Sequence, residues 1–406
     1  MVETEPALKI MILPKTYEEE RQSGQIQCSQ KAIIQQVDRR WHIRVTCCEL
    51  AGLEKRIERR DALRRIIKAT NFVSLNLLKD TVTQIRITHC PSLRPLHSEQ
   101  TLHYETSEDQ RRIRYPFTSL YSIEHGLIEI RSPSLPTFRC RSLPAIAVEK
   151  VQELDDINGQ VFRVRIEGKD GDYIHKTLDR PWYEPSDTIA FEHEMQNSLL
   201  LRGIPNIGQI IGVTVGKNIY QTTQDSETPE VIHGMLFKYY PGGTIKQLQQ
   251  NNQKLESWRK WPLQISHALR ELHKSGLAHM DIKPSNIVLD KENNAVIIDL
   301  GGQSITYEWL APELREKENV LMSCFEDKVR GELWTLGKLF SELIIYNTGG
   351  LENDYLSYIS NQLMHDDPTS RISLDLIHNS KSGFIPVDLV IIKVTIGNIP
   401  FTMLGY

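Results

Sequence analysis

No two of the six cysteines, Cys28, Cys47, Cys48, Cys90, Cys140 and Cys324, stand at C-x-x-C spacing, and none sits in a zinc-type run. A disulfide framework or metal finger is therefore not expected, and free thiols are the simpler reading. A membrane span is not expected either. The most apolar stretch, Phe384 to Tyr406, is interrupted by Asp388, Lys393, Gly397 and Pro400, too often for a hydrocarbon-spanning helix. The start, Met1-Val2-Glu3-Thr4-Glu5, is acidic and no long apolar run follows it, which argues against a secretory leader and for the cytoplasm or nucleus. Internal repeats are lacking, as is the interleaving of aromatic and basic residues expected of a nucleic-acid surface, so nucleic acid is not an expected partner.

What is present is ordinary in bulk and uneven in charge. At 406 residues the chain exceeds the usual single core, so two or three folding units are expected. An apolar content of 40% with 25% charged residues argues against wholesale disorder. The net charge of -4 hides an asymmetry: residues 1–150 carry 24 Lys+Arg against 18 Asp+Glu, and residues 151–406 carry 24 against 34. A basic front region of this kind can meet an acidic partner or its own acidic neighbour, and charge alone does not choose.

Residues 1–131 read as a β-rich accessory region. Trp41 to Thr46, Thr83 to Thr88 and Gly126 to Arg131 alternate apolar and polar residues as half-buried strands do, and Leu53 to Ile67 has a helical apolar period with a solvated basic face. Residues 132–150, with Pro133, Pro136 and Pro144, read as a linker. Residues 151–378 form the next unit, and residues 379–406 an apolar tail that reads as strands. Within 151–378, Val161 to Ile166 and Tyr173 to Leu178 read as strands joined by the turn Gly168-Lys169-Asp170-Gly171. A helix follows from a cap at Ser186 or Asp187 to Leu200 and carries Glu194. Met235 to Tyr240 reads as a buried strand entering Pro241-Gly242-Gly243-Thr244.

The chemistry concentrates in His279-Met280-Asp281-Ile282-Lys283-Pro284-Ser285-Asn286, followed thirteen residues after Asn286 by Asp299-Leu300-Gly301. A base, a cation and an oxygen ligand on one short loop, with a carboxylate brought beside them by two short strands, suit phosphoryl transfer, which asks mainly for alignment and charge stabilisation. These residues resemble the catalytic loop H-R-D-x-K-x-x-N and the D-F-G of the eukaryotic protein kinase family. Thr306-Tyr307-Glu308-Trp309-Leu310-Ala311-Pro312-Glu313 resembles its T-x-x-Y-x-A-P-E.

The resemblance implies an α+β, two-lobed kinase fold and the transfer of the ATP γ-phosphate to Ser/Thr hydroxyls of a protein substrate. It gives Asp281 the role of base and Lys283 that of partner to the moving phosphate. Lys176, paired with Glu194, would hold the nucleotide phosphates. Gly159, Val161, Phe237, Lys238 and Tyr239 would complete the ATP site, and Asn286 and Asp299 would bind Mg2+. His279, Thr306, Trp309, Glu313 and Arg371 would build the substrate loop and its support, with Arg371 pairing with Glu313.

Four departures accompany it. Leu154 and Asp156 stand where two glycines of the phosphate loop are expected. Leu300 replaces a Phe. Glu332 replaces the Asp of D-x-W-S-x-G, a longer side chain that would reposition the loop it braces. Met280 replaces an Arg that captures activation-loop phosphate in many kinases. Two alternatives stay open: a pseudokinase scaffold, and a small-molecule kinase of the choline or aminoglycoside type, against which Lys283 and the 306–313 segment count.

Overall fold

Gln25–Gln36 and Arg39–Cys47 are two long strands joined by the two-residue turn Val37-Asp38, and they organise the front of the chain. The computed structural model describes residues 8–22, 25–48, 50, 53–89, 121–122, 128–130, 143–177, 185–223, 230–253, 256–302, 304–346 and 351–379. The tail expected over 379–406, but for its first residue, and most of the expected linker lie outside them. The chain divides into two units: Met1–Val151 with Thr177–Ile189 and Val213–Gly234, and Gln152–Lys176 with Ala190–Gly212 and Met235–Tyr406.

In unit one, the strands are β1 (Lys9–Ile12), β2 (Glu18–Gln22), β3 (Gln25–Gln36), β4 (Arg39–Cys47), β5 (Val82–His89), β6 (Tyr121–Ser122), β7 (Ile128–Ile130) and β8 (Ala145–Ala147), with helix α1 (Arg56–Ala69) between β4 and β5. β1, β3, β4, β5 and β6 lie in that order, β2 adding to β3 and β7 to β5. β4 and β5 pair in parallel, which needs the crossover that α1 supplies. Leu63, Ile66 and Ile67 of α1 are buried with Cys28, Ile34, Ile43, Val45 and Ile85 of the sheet. The α1 face expected to be solvated and basic has an exception. Arg59 is 7% exposed, forks onto Glu19 at 3.0 and 2.8 Å, and donates to the carbonyls of Leu53 and Glu54. Those two residues are thereby held outside the helix, which begins three residues later than the apolar period suggests. The segment between Val213 and Gly234 belongs here too. Thr222 and Asp80 exchange main-chain N–H groups for side-chain oxygens at 2.7 and 2.8 Å, and the Tyr220 ring meets His42 edge-on at 5.4 Å. Ala145–Ala147, inside the expected linker, is a strand that pairs with Val213 to Val215.

From Val151 onward come β9 (Val151–Asp156), β10 (Val161–Ile166), β11 (Tyr173–Thr177), α2 (Pro185–Leu200), β12 (Ile210–Gly216) and β13 (Val231–Lys238); β10 and most of β9, β11 and α2 belong to unit two, while β12 and β13 pass from one unit to the other at Val213 and Met235. The order across this six-stranded sheet is β8, β12, β13, β11, β10, β9. Helices α3 (Ile245–Gln250) and α4 (Trp261–Lys274), hairpin β14 (Ile287–Leu289) and β15 (Ala295–Ile297), and helices α5 (Pro312–Arg315), α6 (Phe325–Tyr346), α7 (Leu351–Leu363) and α8 (Leu374–Asn379) follow. The expected strands fall on β10, β11, β13, β14 and β15, though β13 starts four residues before Met235. Ile265, Leu269 and Leu272 of α4, Leu336, Leu339 and Phe340 of α6, and Leu356 and Leu363 of α7 share one core. At Gly337 a Cβ would stand 2.8 Å from the Ser360 carbonyl oxygen, and Ser360 Oγ donates to the Gly337 carbonyl at 2.8 Å. The glycine thus sets the α6–α7 approach, and the mixed sheets and helices are those of the two-lobed α+β kinase fold.

Candidate active site

The loop between α4 and β14 is held by its own histidine. His279 Nδ1 accepts the Asp281 N–H at 3.2 Å, which leaves Nε2 to donate to the Ile298 carbonyl at 2.9 Å. This ties the start of the loop to the residue before Asp299. Met280 and Asp299 both take left-handed backbone, φ 67° and 69°, a conformation unfavourable for non-glycine residues that persists where surroundings over-determine it. At Met280 the surroundings are named. Its N–H donates to Glu332 Oε1 at 2.5 Å, while Glu332 Oε2 meets His273 Nε2 at 2.6 Å. The longer carboxylate at position 332 therefore reaches the loop, with its second oxygen occupied by a histidine from the last turn of α4.

Asp281 is buried and every oxygen of its carboxylate is engaged. Thr306 Oγ1 donates to Oδ1 at 2.7 Å, and Lys283 Nζ and Asn286 Nδ2 donate to Oδ2 at 2.6 and 2.9 Å. Lys283 also donates to Thr306 Oγ1 at 2.6 Å. The loop and the segment before Ala311-Pro312-Glu313 are thus joined at the carboxylate that would receive a hydroxyl proton. Below, Arg371 grips Glu313 with two nitrogens at 2.6 and 2.9 Å, and the Trp309 carbonyl accepts from Thr335 while its ring faces the Lys338 ammonium at 4.8 Å.

On the facing side of the site, Lys176 donates to Glu194 Oε1 at 2.5 Å and to Asp299 Oδ1 at 2.9 Å. Burial alone would pull the Lys176 ammonium down, yet Glu194 and Asp299 together hold it above the ordinary lysine value. The same ammonium, against the opposing effect of burial, keeps the Asp299 carboxyl below its ordinary range. Burial pushes Glu194 up, with Lys176 opposing. Lys176 thus stays charged and Asp299 ionised.

A cleft of ≈ 580 Å³ gathers Val161, Lys176, Glu194, Phe237, Lys238, Tyr239, Lys283, Asn286 and Asp299. Gly159 is not in its lining, whereas its neighbours Ile157 and Asn158 are. His279, Thr306, Trp309, Glu313 and Arg371 lie in the supporting layer described above.

Three contributors escaped the sequence reading. His273 completes the Glu332 brace. Asn197 donates to the Leu300 carbonyl at 2.7 Å; lying three residues after Glu194 on α2, it shares that helix face, which is the signal that could have found it. Ile174 lines the cleft two residues before Lys176, as strand alternation requires.

Could these residues hold Mg2+ and a nucleotide? Asn286 turns its amide nitrogen toward Asp281, which leaves its oxygen for a cation. Asp299 is ionised, and carboxylate and amide oxygens suit a hard ion. Among the described residues no cluster of three or more His, Cys, Asp or Glu forms a metal cage, in keeping with an ion that relies on phosphate and water for the rest of its shell. The donor set fits.

The protein kinase domain family model matches residues 158–349. Mitogen-activated protein kinase kinase 9 of Arabidopsis thaliana is 27% identical over 223 residues, covering 51% of this chain and 66% of the relative. The serine/threonine-protein kinase PKH3 of Eremothecium gossypii is 25% identical over 205 residues, 45% of this chain and 26% of the relative. A probable serine/threonine-protein kinase of Streptomyces coelicolor is 26% identical over 179 residues, 40% of this chain and 24% of its own. The chain therefore spans just under two thirds of the first relative and about a quarter of the other two. With the fold and the assembled loop, these matches support a protein kinase-like superfamily member whose kinase domain spans residues 158–349.

Proposed function

We propose that this chain is a protein kinase that transfers the γ-phosphate of ATP to Ser/Thr hydroxyls of protein substrates. The observation that carries the reading is the Asp281 carboxylate held at once by Lys283, Asn286 and Thr306. A substrate hydroxyl that displaces the Thr306 or Lys283 bond meets an oriented acceptor for its proton, and Lys283 then lies within reach of the transferring phosphoryl oxygens. Lys176, steadied by Glu194, binds the inner phosphates of ATP. Asn286 and Asp299 would hold Mg2+, which supplies charge neutralisation at the phosphates when bound. Phe237, Lys238, Tyr239 and Val161, which line the cleft, would hold the base.

The domain limits proposed are an accessory region over 1–131, a linker over 132–150, the kinase unit over 151–378 and a tail from 379, with the strand Ala145–Ala147 and the stretch Val213–Gly234 folding with the front unit. Among the described residues no helix is long and apolar enough to cross a membrane. The acidic kinase part favours basic protein substrates through complementary fields, and the basic front region offers a surface for a further partner.

Regulation follows from Met280. Its side chain is buried with Leu310, Ala311 and Leu314, so the substrate loop is anchored by apolar packing where a cation would otherwise capture a phosphate. The kinase is accordingly not switched by activation-loop phosphorylation.

A pseudokinase scaffold is the second reading, favoured by one observation: the Asp156 carboxylate accepts the Gly159 N–H at 2.5 Å, on the hairpin where phosphate would be cradled. The deciding experiment is transfer of radiolabelled γ-phosphate from Mg-ATP to a panel of basic proteins by wild type, Asp281→Ala and Lys176→Met, with phosphoamino-acid analysis. Label on Ser or Thr that vanishes in both variants is expected. Binding of Mg-ATP with no transfer above the variants would leave the scaffold reading.

A further inference from the structure

The turn between β9 and β10 is closed by its own side chains. Asp156 Oδ1 accepts the Gly159 N–H at 2.5 Å, and Asn158 Oδ1 accepts the N–H groups of Gln160 and Val161 at 3.3 and 3.1 Å. The Ile157 N–H goes to the Val161 carbonyl at 2.8 Å. Gly159 takes φ +76°, with no heavy atom within 4 Å of where a Cβ would stand. Backbone turned in this way points successive N–H groups into one concavity, an arrangement that binds anions. Here the groups are already taken from within: the carboxylate of Asp156 holds the Gly159 N–H, and the Asn158 amide oxygen holds those of Gln160 and Val161. Asp155, Ile157 and Asn158 line the cleft that holds Lys176 and Asp299, while Asp156 and Gly159 lie just outside its lining, so the self-filled turn stands at the rim of the nucleotide site. The nearest basic side chain on β10 is already committed: Arg163 meets Asp155 at 2.6 Å and Asp172 at 3.5 Å.

We propose that Asp156 acts as an internal substitute for nucleotide phosphate, so that the hairpin gives no phosphate contact and the cleft recognises a nucleoside triphosphate through its nucleoside and its Lys176–Asp299 side. The inference rests on the nucleotide-binding reading above. A phosphate oxygen that sought the Gly159 N–H would have to displace a charge-assisted hydrogen bond and then sit against a carboxylate. Both effects have the same sign. Asp156 is therefore a specificity-determining residue: it lowers the chain's preference for ATP over adenosine and leaves the base and ribose contacts unaltered.

The test measures dissociation constants of Mg-ATP and of adenosine, by calorimetric titration of the full chain, for wild type, Asp156→Gly and Asp156→Asn. Asp156→Gly should tighten Mg-ATP by about tenfold, the order of one hydrogen bond to a charged group, with adenosine unchanged. Because a glycine could also loosen the hairpin, Asp156→Asn provides a second arm. It keeps an oxygen acceptor for Gly159 and removes only the charge, so Mg-ATP should tighten by about threefold, the order of an exposed charge pair. Unchanged or weaker Mg-ATP binding in Asp156→Asn, with adenosine binding intact, overturns the inference and leaves the nucleotide site standing. Failure of wild type and both variants to bind either ligand overturns the nucleotide-binding reading and the inference with it.

Discussion

Glu332 ties α6 to a stretch more than fifty residues earlier: one carboxylate oxygen takes the Met280 N–H at 2.5 Å and the other meets His273 Nε2 at 2.6 Å. The carboxylate is almost fully buried and holds Met280 in its left-handed backbone, one residue before the base. Glu332→Ala should therefore lower kcat by about tenfold or more through misplacement of Asp281, with the KM for ATP little changed. It should also lower stability by about 1–3 kcal/mol, since a buried N–H loses its acceptor. Steady-state kinetics and denaturant titration read the two effects separately, and a variant with wild-type kcat would show that Glu332 is not needed to place the loop.

Arg371→Leu removes one half of a fork. Glu313 would be left partly buried without its cation, and the Arg330 and His365 carbonyls would lose a donor. A loss of about 2–4 kcal/mol is expected, visible as a lower midpoint in urea. A midpoint within error of wild type would mean the pair is dispensable.

Acidic substitution separates the regulatory reading from its rival. Ser304→Asp and Tyr307→Asp should leave activity near wild type, because Met280 presents apolar surface to the loop. Thr306→Asp should abolish it, since a second carboxylate would compete with Asp281 for Lys283. An increase of activity in any of the three would sink the proposal that phosphorylation is not the switch.

Unit one should respond to acid through His42. Burial pulls its imidazole from 6.5 to about 4, with Arg40 and Lys31 adding to the effect. A depressed folded value means that the contribution is complete above 6.5 and is lost as pH falls, because the unfolded chain takes up a proton that the folded one refuses. Hydrogen-exchange protection of β3 and β4 should decline between pH 6.5 and about 4, and His42→Phe should flatten that decline. Equal slopes in wild type and variant would assign the loss to another group.

The candidate site could be proposed from sequence where its chemistry is contiguous. Asp281, Lys283 and Asn286 fall within six residues, and Lys176 with Glu194 could be placed because each lies on a regular element of its own. What escaped depends on contacts across the chain. His273 carries no mark of its role until α6 is packed beside α4, and Arg59 reads as one more solvated cation until β2 presents Glu19. Strand β3 carries glutamine where alternation asks for an apolar residue. Gln30 is buried nonetheless, since its amide donates to the Leu13 carbonyl and Thr16 Oγ1 at 2.8 and 2.7 Å. Parallel pairing of β4 with β5 leaves no local mark at all, because the partners are brought together by a helix.

The reciprocal hydrogen bonds between Asp80 and Thr222 bear on how this gene can be rearranged. A stretch lying inside the kinase sequence, Val213–Gly234, folds with the first 151 residues, so the front region is not a detachable cassette. A splice junction or fusion point at residue 150 would strand β8 from its partner strand and leave the Thr222 amide and hydroxyl without Asp80. A fragment that keeps unit one whole must therefore carry Val213–Gly234 as well as the first 151 residues.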